Sequence, residues 1–197
     1  MGLQALRWAA FAAALSMLVV YFQGGTTLVR DVRKTVAVEG NYAYLVLSFI
    51  MGIAGLSILV LQFLICAGGI EPVAGFPDGL VLAGAVLEIA GILAAYFVRG
   101  RYLGRFWSGS VEIQPDHHIV EHGPYRFIRH PVYALTLLIY PGVALAFPVG
   151  WVWLACGIML AGYLLLTEYE DRFLARNLPG YAGYRARTRW KILPGIW

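Results

Sequence analysis

The chain has 197 residues, of which 60% are hydrophobic and only 13% are charged, against roughly 25% charged in ordinary soluble domains. A soluble core of this size does not hide so much apolar surface, so the composition indicates an integral membrane protein. The net charge of +4 comes from basic residues in separate short segments. Without a continuous basic stripe with interleaved aromatic residues, we predict no nucleic-acid partner.

Five apolar segments predict transmembrane helices, because a hydrocarbon core about 30 Å thick needs roughly 20 apolar residues in helix. The last two are separated only by Pro148-Val149-Gly150 and predict a tight helical hairpin over residues 132–166. The five segments are 8–22, 42–66, 80–98, 132–147 and 151–166. The first could instead be a signal peptide, but no small-residue cleavage site precedes Gln23, which favours a retained helix.

These segments predict an all-α membrane fold of about five helices in a single domain, residues 1–197. Three N-terminal helices occupy residues 1–98, and a functional core with the hairpin occupies 99–197. Of the fifteen Lys and Arg residues, only Arg7 lies on one side of this arrangement. By the positive-inside rule, the protein is predicted to be N-out and C-in. The two longest polar segments then share the cytoplasmic side.

All four histidines lie within 14 residues of the loop before the fourth helix. Only His118 and His122 have helical spacing, and Gly123-Pro124 breaks any helix directly after them, so we predict no metal site. Cys66 and Cys156 lie inside apolar runs without CxxC spacing, which predicts neither a disulfide nor a zinc site.

Pro131 predicts the start of the fourth helix, because proline suits the first turn of a helix and disfavours helix at the residue before it. The free backbone N–H groups of that turn form an anion site, and Arg129 lies beside it. A carboxylate of a ligand suits this place. The alternative is that Arg126 and Arg129 are interfacial anchors and that His130 is a helix cap.

Two acidic features complete the set of candidate residues. Glu168-Tyr169-Glu170-Asp171 is predicted to follow the fifth helix directly, where it is either a solvated helix end or the partner of a ligand with positive charge and ribose hydroxyls. Glu88 lies in the middle of the third helix, where a carboxylate costs several kcal/mol unless it is paired or protonated.

Glu88 shares one helical face with Gly84, Gly91 and Ala95, a groove of small residues that lets another helix approach closely. The preferred interpretation is a protonated Glu88 that is hydrogen-bonded across this groove. The alternative is a role in substrate binding.

The strings Gly123-Pro124-Tyr125 and Arg129-His130-Pro131, with Tyr133, the hairpin, the acidic cluster and Tyr181-x-x-Tyr184, resemble the isoprenylcysteine carboxyl methyltransferase family. That family sits within a broader group that includes phospholipid N-methyltransferases. The resemblance covers roughly residues 100–197. It implies an enzyme that uses S-adenosylmethionine and methylates a lipophilic membrane acceptor, which could be an isoprenylcysteine-like carboxylate, a thiol or a lipid amine.

The resemblance also implies the site residues, with the cofactor enclosed by the loop before the hairpin and the segment after it. The implied cofactor-binding residues are His117, Ile119, Val120, Gly123, Tyr125, Arg129, His130, Pro131, Tyr133 and Glu170. The candidate catalytic residues among them are Tyr125, Arg129, His130 and Glu170. The implied partners are a lipophilic or prenylated substrate and membrane lipid, and the sequence leaves the oligomeric state open.

Two positions depart from the family's pattern. The family shows adjacent glutamates, and here the first position aligns with Tyr169. Its isoprenylcysteine enzymes place an arginine about one turn earlier, where residues 164–167 are Leu-Leu-Leu-Thr, which argues against an isoprenylcysteine substrate. The alternatives are an NADPH-dependent sterol or steroid reductase, which would need more basic contacts to phosphates, and a transporter or scaffold without enzymatic activity.

Overall fold

The computed structural model of the chain describes residues 2–31, 36–38 and 40–197, and among these the side chains of all but 20–31. The regular secondary structure of this described part is nearly all helical, apart from one pair of two-residue strands. Its elements in chain order are α1 (Leu3–Asp31), β1 (Ala37–Val38), α2 (Tyr42–Cys66), α3 (Asp78–Val98), β2 (Glu112–Ile113), α4 (Pro131–Ala146), α5 (Gly150–Asn177) and α6 (Tyr181–Arg187). After α3 the chain continues through a π-helical turn, Arg99–Leu103, and a 3₁₀ turn, Gly104–Phe106.

The helix positions follow the hydropathy pattern closely in the middle of the chain. The side chain of Asn41 caps α2 by accepting a hydrogen bond from the backbone N–H of Ala43, as a short polar residue does at a helix start. Pro131 is the first residue of α4, as predicted. The predicted bounds of the outer helices were too narrow: α1 begins before Trp8 and continues past Phe22, and α5 continues past Leu166.

Three helices in the described part of the chain are long and apolar enough to cross a membrane: Tyr42–Cys66, Asp78–Phe106 and Gly150–Asn177. Leu3–Val19 and α4 are shorter apolar helices, so the predicted count of five spans is not reached by this criterion. Large apolar side chains on α2 point outward, with Phe49 69% exposed. An exposed apolar surface of this kind is typical of a helix that contacts lipid. Arg33 and Lys34, which contributed to the predicted topology, lie outside the described residues.

Side chains of α1 join the ends of two other helices. The Gln4 side-chain amide donates to the carbonyl of Cys66, the last residue of α2, at 2.5 Å, and the Arg7 guanidinium donates to the carbonyl of Ala146, the last residue of α4, at 3.1 Å. These are carbonyls that a helix leaves without an internal partner. The start of α4 and the loop before it therefore lie at the opposite end of the bundle from Arg7.

Helices α3 and α4 pack against each other at glycine positions. A Cβ atom on Gly84 would lie 2.5 Å from the backbone nitrogen of Ala146, and one on Gly142 would lie 2.6 Å from the backbone nitrogen of Glu88. A Cβ on Gly91 would lie 2.9 Å from Ile139. The prediction that the small-residue face of α3 admits another helix is confirmed, and that helix is α4.

The long loop and the C-terminal tail are held together at the end of the bundle where α4 begins. The backbone N–H groups of Arg129 and His130 donate to the carbonyls of Trp190 and Lys191, each at 2.9 Å. Strands β1 and β2 pair antiparallel, with Ala37 opposite Ile113; this pair departs from the predicted all-α fold. These contacts place the tail directly beside the start of α4.

We predict that Gly84→Ala destabilises the protein by about 1–3 kcal/mol, because the added methyl group overlaps the backbone of α4 and forces the helices apart. Thermal unfolding of the purified protein in detergent measures the effect. Gly52→Ala in α2 is the control, since a Cβ there meets nothing within 4 Å. Equal melting temperatures for the two variants would contradict the close α3–α4 contact.

Candidate functional site

A cavity of about 390 Å³ extends from the long loop and α6 into the helix bundle, a volume within the usual range of small-molecule pockets. Its outer part is lined by polar and aromatic residues of the loop, of α5 and of α6, and its inner part mainly by apolar side chains of α1 to α5. The cavity therefore has a polar outer end and an apolar inner end. This arrangement suits two ligands, one polar and one lipophilic.

Most of the predicted site residues meet at the outer part of this cavity. Eight of the ten implied cofactor-binding residues line it: His117, Ile119, Val120, Tyr125, Arg129, His130, Tyr133 and Glu170. Gly123 and Pro131 are outside the lining. The structure thus brings together residues from both sides of the hairpin, which the resemblance implied.

Gly123 and Pro131 shape the backbone rather than the cavity wall. Gly123 has φ +62°, and a Cβ there would overlap the ring of Tyr102, so only glycine fits. It begins a 3₁₀ turn, Gly123–Arg126, that carries Tyr125 into the interior. The hydroxyl of Tyr184 donates to the carbonyl of Tyr125 at 2.7 Å and holds this turn against α6.

The sequence predicted that Arg129 is available to an anionic ligand, but in the structure its guanidinium is already paired. Its Nε and Nη2 donate to the two carboxylate oxygens of Asp171 at 2.7 and 3.1 Å, and its Nη1 donates to the carbonyls of Thr188 and Arg189, both at 2.8 Å. The side chains of this ion pair are 3% and 0% exposed. Each guanidinium nitrogen already has a partner, so the arginine joins the loop, α5 and the tail.

Asp171 lies at the centre of the candidate site, although the sequence pattern predicted no separate role for it. Besides Arg129, its carboxylate accepts a hydrogen bond from the Tyr181 hydroxyl at 3.0 Å and lies 3.4 Å from Nε2 of His130. Its position inside α5 corrects the expectation that the acidic cluster follows the helix. Glu170 and Asp171 are neighbours in α5, so the two acids lie side by side at the site.

Glu170 presents its carboxylate to the cavity, with 26% of its side chain exposed. The hydroxyl of Tyr133 donates a short hydrogen bond to it, and Nδ1 of His130 lies 3.7 Å from it. The rings of His130 and Tyr133 are stacked, with centroids 5.7 Å apart and planes 10° from parallel. His130 therefore lies between Glu170 on the cavity side and Asp171 in the interior.

Burial keeps the phenols of the site protonated. Desolvation raises the pKa of Tyr125, with a further contribution from the charge of Glu170. Burial also raises the pKa of Tyr181, next to Asp171, and raises the pKa of Tyr184 to about 12. At neutral pH these hydroxyls are protonated, so they can donate hydrogen bonds and do not serve as bases.

The ring of His117 forms part of the cavity wall on the side of the long loop. Its ring stacks on Phe106, with centroids 4.7 Å apart and planes 7° from parallel. Burial, and secondarily the neighbouring His118, lowers the pKa of His117, so its ring is neutral at pH 7. Its Nδ1 is buried and has no hydrogen-bond partner among the described residues, which leaves it available to a ligand.

The charge of the lining favours a positively charged ligand. Among the described residues that line the cavity, three carry a carboxyl group: Glu112 and Glu170 at the outer part and Glu88 inside the bundle. Arg129 is the one Lys or Arg among them. Because Arg129 is paired with Asp171, it does not offset them. Within the same described residues no group of three or more His, Cys, Asp and Glu could hold a metal ion.

Comparison with known proteins identifies one family. Residues 75–179, just over half of the chain, match the phospholipid methyltransferase family. The match begins before α3 and ends after α5, so it includes the hairpin and the acidic pair as well as α3, which the sequence resemblance did not cover. It confirms the resemblance to membrane methyltransferases. A comparison with curated proteins found no match.

We predict that Asp171→Asn destabilises the fold by about 3–5 kcal/mol, because it removes one partner of a buried ion pair and leaves the other uncompensated. Thermal unfolding in detergent is the measurement. Glu121→Gln breaks the exposed pair with Arg187, whose side chains are 44% and 63% exposed, and should cost only about 0–1 kcal/mol. Similar losses in both variants would show that the Asp171 contacts do not organise the site.

Proposed function

Because the chain belongs to the phospholipid methyltransferase family, we propose that this membrane methyltransferase takes its methyl group from S-adenosylmethionine and transfers it to a lipophilic acceptor. The observation that carries the proposal is the acidic, aromatic outer end of the cavity, joined to an apolar interior. A nucleoside with a positively charged sulfur and ribose hydroxyls suits the first part, and a lipophilic acceptor suits the second.

The residues of the outer cavity have the chemistry that this cofactor needs. The carboxylate of Glu170 is suited to ribose hydroxyls or to a positive charge. Nδ1 of His117, which has no partner in the described part of the chain, is suited to a polar edge of the base. His117 and Phe106 supply an aromatic surface. When bound, S-adenosylmethionine supplies a methyl group that is already activated on a sulfonium sulfur.

With an activated methyl group, the protein contributes mainly alignment and exclusion of water. The hydrogen bond from Tyr133 to Glu170 fixes the outer wall of the cavity, and the ion pair between Arg129 and Asp171 fixes the loop residue just before α4. An amine or thiol acceptor must lose a proton, whereas a carboxylate needs no base. We propose Glu170 as the proton acceptor, because its carboxylate faces the cavity and His130 lies behind it.

The charge of the cavity also limits which classes of methyl acceptor it can bind. A carboxylate acceptor would need an unpaired basic group nearby, and the one lining arginine among the described residues is engaged with Asp171. Residues 164–167 supply no arginine either. We therefore favour a thiol or a lipid amine over an isoprenylcysteine-like carboxylate.

The same charge argument weighs against the NADPH-dependent reductase, whose cofactor carries several phosphates. No unpaired Lys or Arg lines the cavity in the part of the chain that the structure describes. We retain the N-out, C-in orientation as part of the proposal, which gives the outer end of the cavity access to the cytoplasm.

We predict that the purified protein binds S-adenosylhomocysteine and that Glu170→Gln weakens binding by about 10- to 100-fold, the usual effect of losing a charged hydrogen-bond partner. Isothermal titration in detergent measures the affinity. Glu168→Gln is the control, because Glu168 is on the same helix but pairs with Lys191 and Arg172 outside the cavity. It should keep the affinity within about twofold.

NADPH serves as the opposing ligand in the same titration. Binding of NADPH without binding of S-adenosylhomocysteine would overturn the proposal, and so would equal effects of the two glutamate substitutions. Transfer of a labelled methyl group from S-adenosylmethionine to a long-chain thiol or amine in proteoliposomes tests the reaction itself. We expect Glu170→Gln to abolish most of this transfer and Glu168→Gln to preserve it.

The orientation is tested separately by reporters fused to the C terminus. A fluorescent protein that matures only in the cytoplasm should be bright, and an alkaline phosphatase that works only outside should be inactive. The opposite pair of results would place the tail, and with it the outer end of the cavity, on the external side.

A further inference from the structure

Glu88 is a fully buried carboxylate in the inner part of the cavity, with 0% of its surface exposed. The side-chain amide of Gln62, on α2, donates to its Oε1 at 2.8 Å, and Gln62 is itself fully buried. The pair therefore joins α2 to α3 inside the bundle, whereas the sequence predicted a hydrogen bond of Glu88 across the small-residue groove, which α4 occupies.

The hydrogen bond between Gln62 and Glu88 leaves one side-chain oxygen of each residue unused. Oε2 of Glu88 and Oε1 of Gln62 are buried and have no hydrogen-bond partner among the described residues. Buried acceptors without a donor are costly, and in native proteins such groups are rare unless a ligand or water completes them. Because Glu88 lines the cavity, a molecule inside the cavity can supply the missing donor.

The Glu88–Gln62 pair lies deeper in the helix bundle than the outer site. The backbone of Glu88 is next to Gly142 on α4, nine residues after Tyr133, the partner of Glu170. At a rise of 1.5 Å per residue this separation is about 13 Å along the helix. Mostly apolar side chains, among them Ile92, Ile139 and Met159, line the space around it. The outer site and the Glu88–Gln62 pair are therefore two separate polar sites in one cavity.

We propose that the Glu88–Gln62 pair recognises the methyl acceptor, and that the acceptor is a lipophilic molecule with a hydrogen-bond donor, a hydroxyl or an amine, remote from the methylated atom. This inference rests on the proposed methyl transfer at the outer site. A plain acyl or isoprenyl chain would leave Oε2 of Glu88 without a partner, so the pair selects against such chains. Glu88 acts here as a specificity-determining residue.

The test uses two probes of nearly the same size. 2-Naphthol carries one hydroxyl donor, and 2-methoxynaphthalene has the same ring system without a donor. We expect the purified protein to bind 2-naphthol at least about tenfold more tightly, as measured by the ligand-dependent rise in melting temperature. Titration of 2-naphthylamine in the same assay distinguishes a preference for amines from one for hydroxyls.

Substitutions then assign the preference to Glu88. Glu88→Met, similar in size and without an acceptor oxygen, should bind the two naphthalenes equally. Thr136→Val is the matched control, because Thr136 also lines the cavity but its hydroxyl donates within its own helix to the carbonyl of Val132; it should keep the preference. Equal binding of both probes to the unmodified protein, or an unchanged preference in Glu88→Met, would overturn the proposal.

Two further measurements keep the outcome interpretable. If Glu88→Met does not fold, Glu88→Gln preserves the shape and the bond to Gln62, and it should bind 2-naphthol more weakly than the unmodified protein; unchanged affinity overturns the proposal. S-adenosylhomocysteine binding should be the same in every Glu88 variant that folds, since the outer site is remote. Loss of that binding in the unmodified protein would instead count against methyl transfer itself.

Discussion

The buried ion pair between Arg129 and Asp171 is the interaction on which the outer site depends. It connects the loop before α4 with α5, and the remaining hydrogen bonds of the arginine hold the carbonyls of Thr188 and Arg189. Removing two charges from water is costly unless they pair closely and hydrogen bonds satisfy their polar atoms. Here each guanidinium nitrogen and both carboxylate oxygens make a hydrogen bond, and the result is a fixed junction of three chain segments beside the cavity.

This junction also explains why the neighbouring residues Glu170 and Asp171 of α5 have different roles. Consecutive residues of an α-helix point about 100° apart, so Asp171 faces the interior while Glu170 faces the cavity. His130 lies between them and is oriented by both. One carboxylate thus positions the site, and the other is available to a ligand.

Much of this architecture could be predicted from sequence. Hydropathy gave the bounds of α2, proline chemistry gave the start of α4, and the small-residue face of α3 predicted a close helix contact. The partner of Arg129 could not be predicted, since 42 residues separate it from Asp171 and several acids and carbonyls compete for a guanidinium. The extension of α5 was missed because its charged end has no apolar signal.

The hydrogen bonds from Arg129 to Thr188 and Arg189 end on peptide carbonyls, which every residue type provides. These two hydrogen bonds therefore do not depend on which side chains stand at the two positions, although the side chain of Thr188 is itself buried. They do depend on the path of the backbone, because a single inserted or deleted residue would shift both carbonyls out of reach. We expect evolution to tolerate substitution of the exposed Arg189 and to reject changes in the length of the tail.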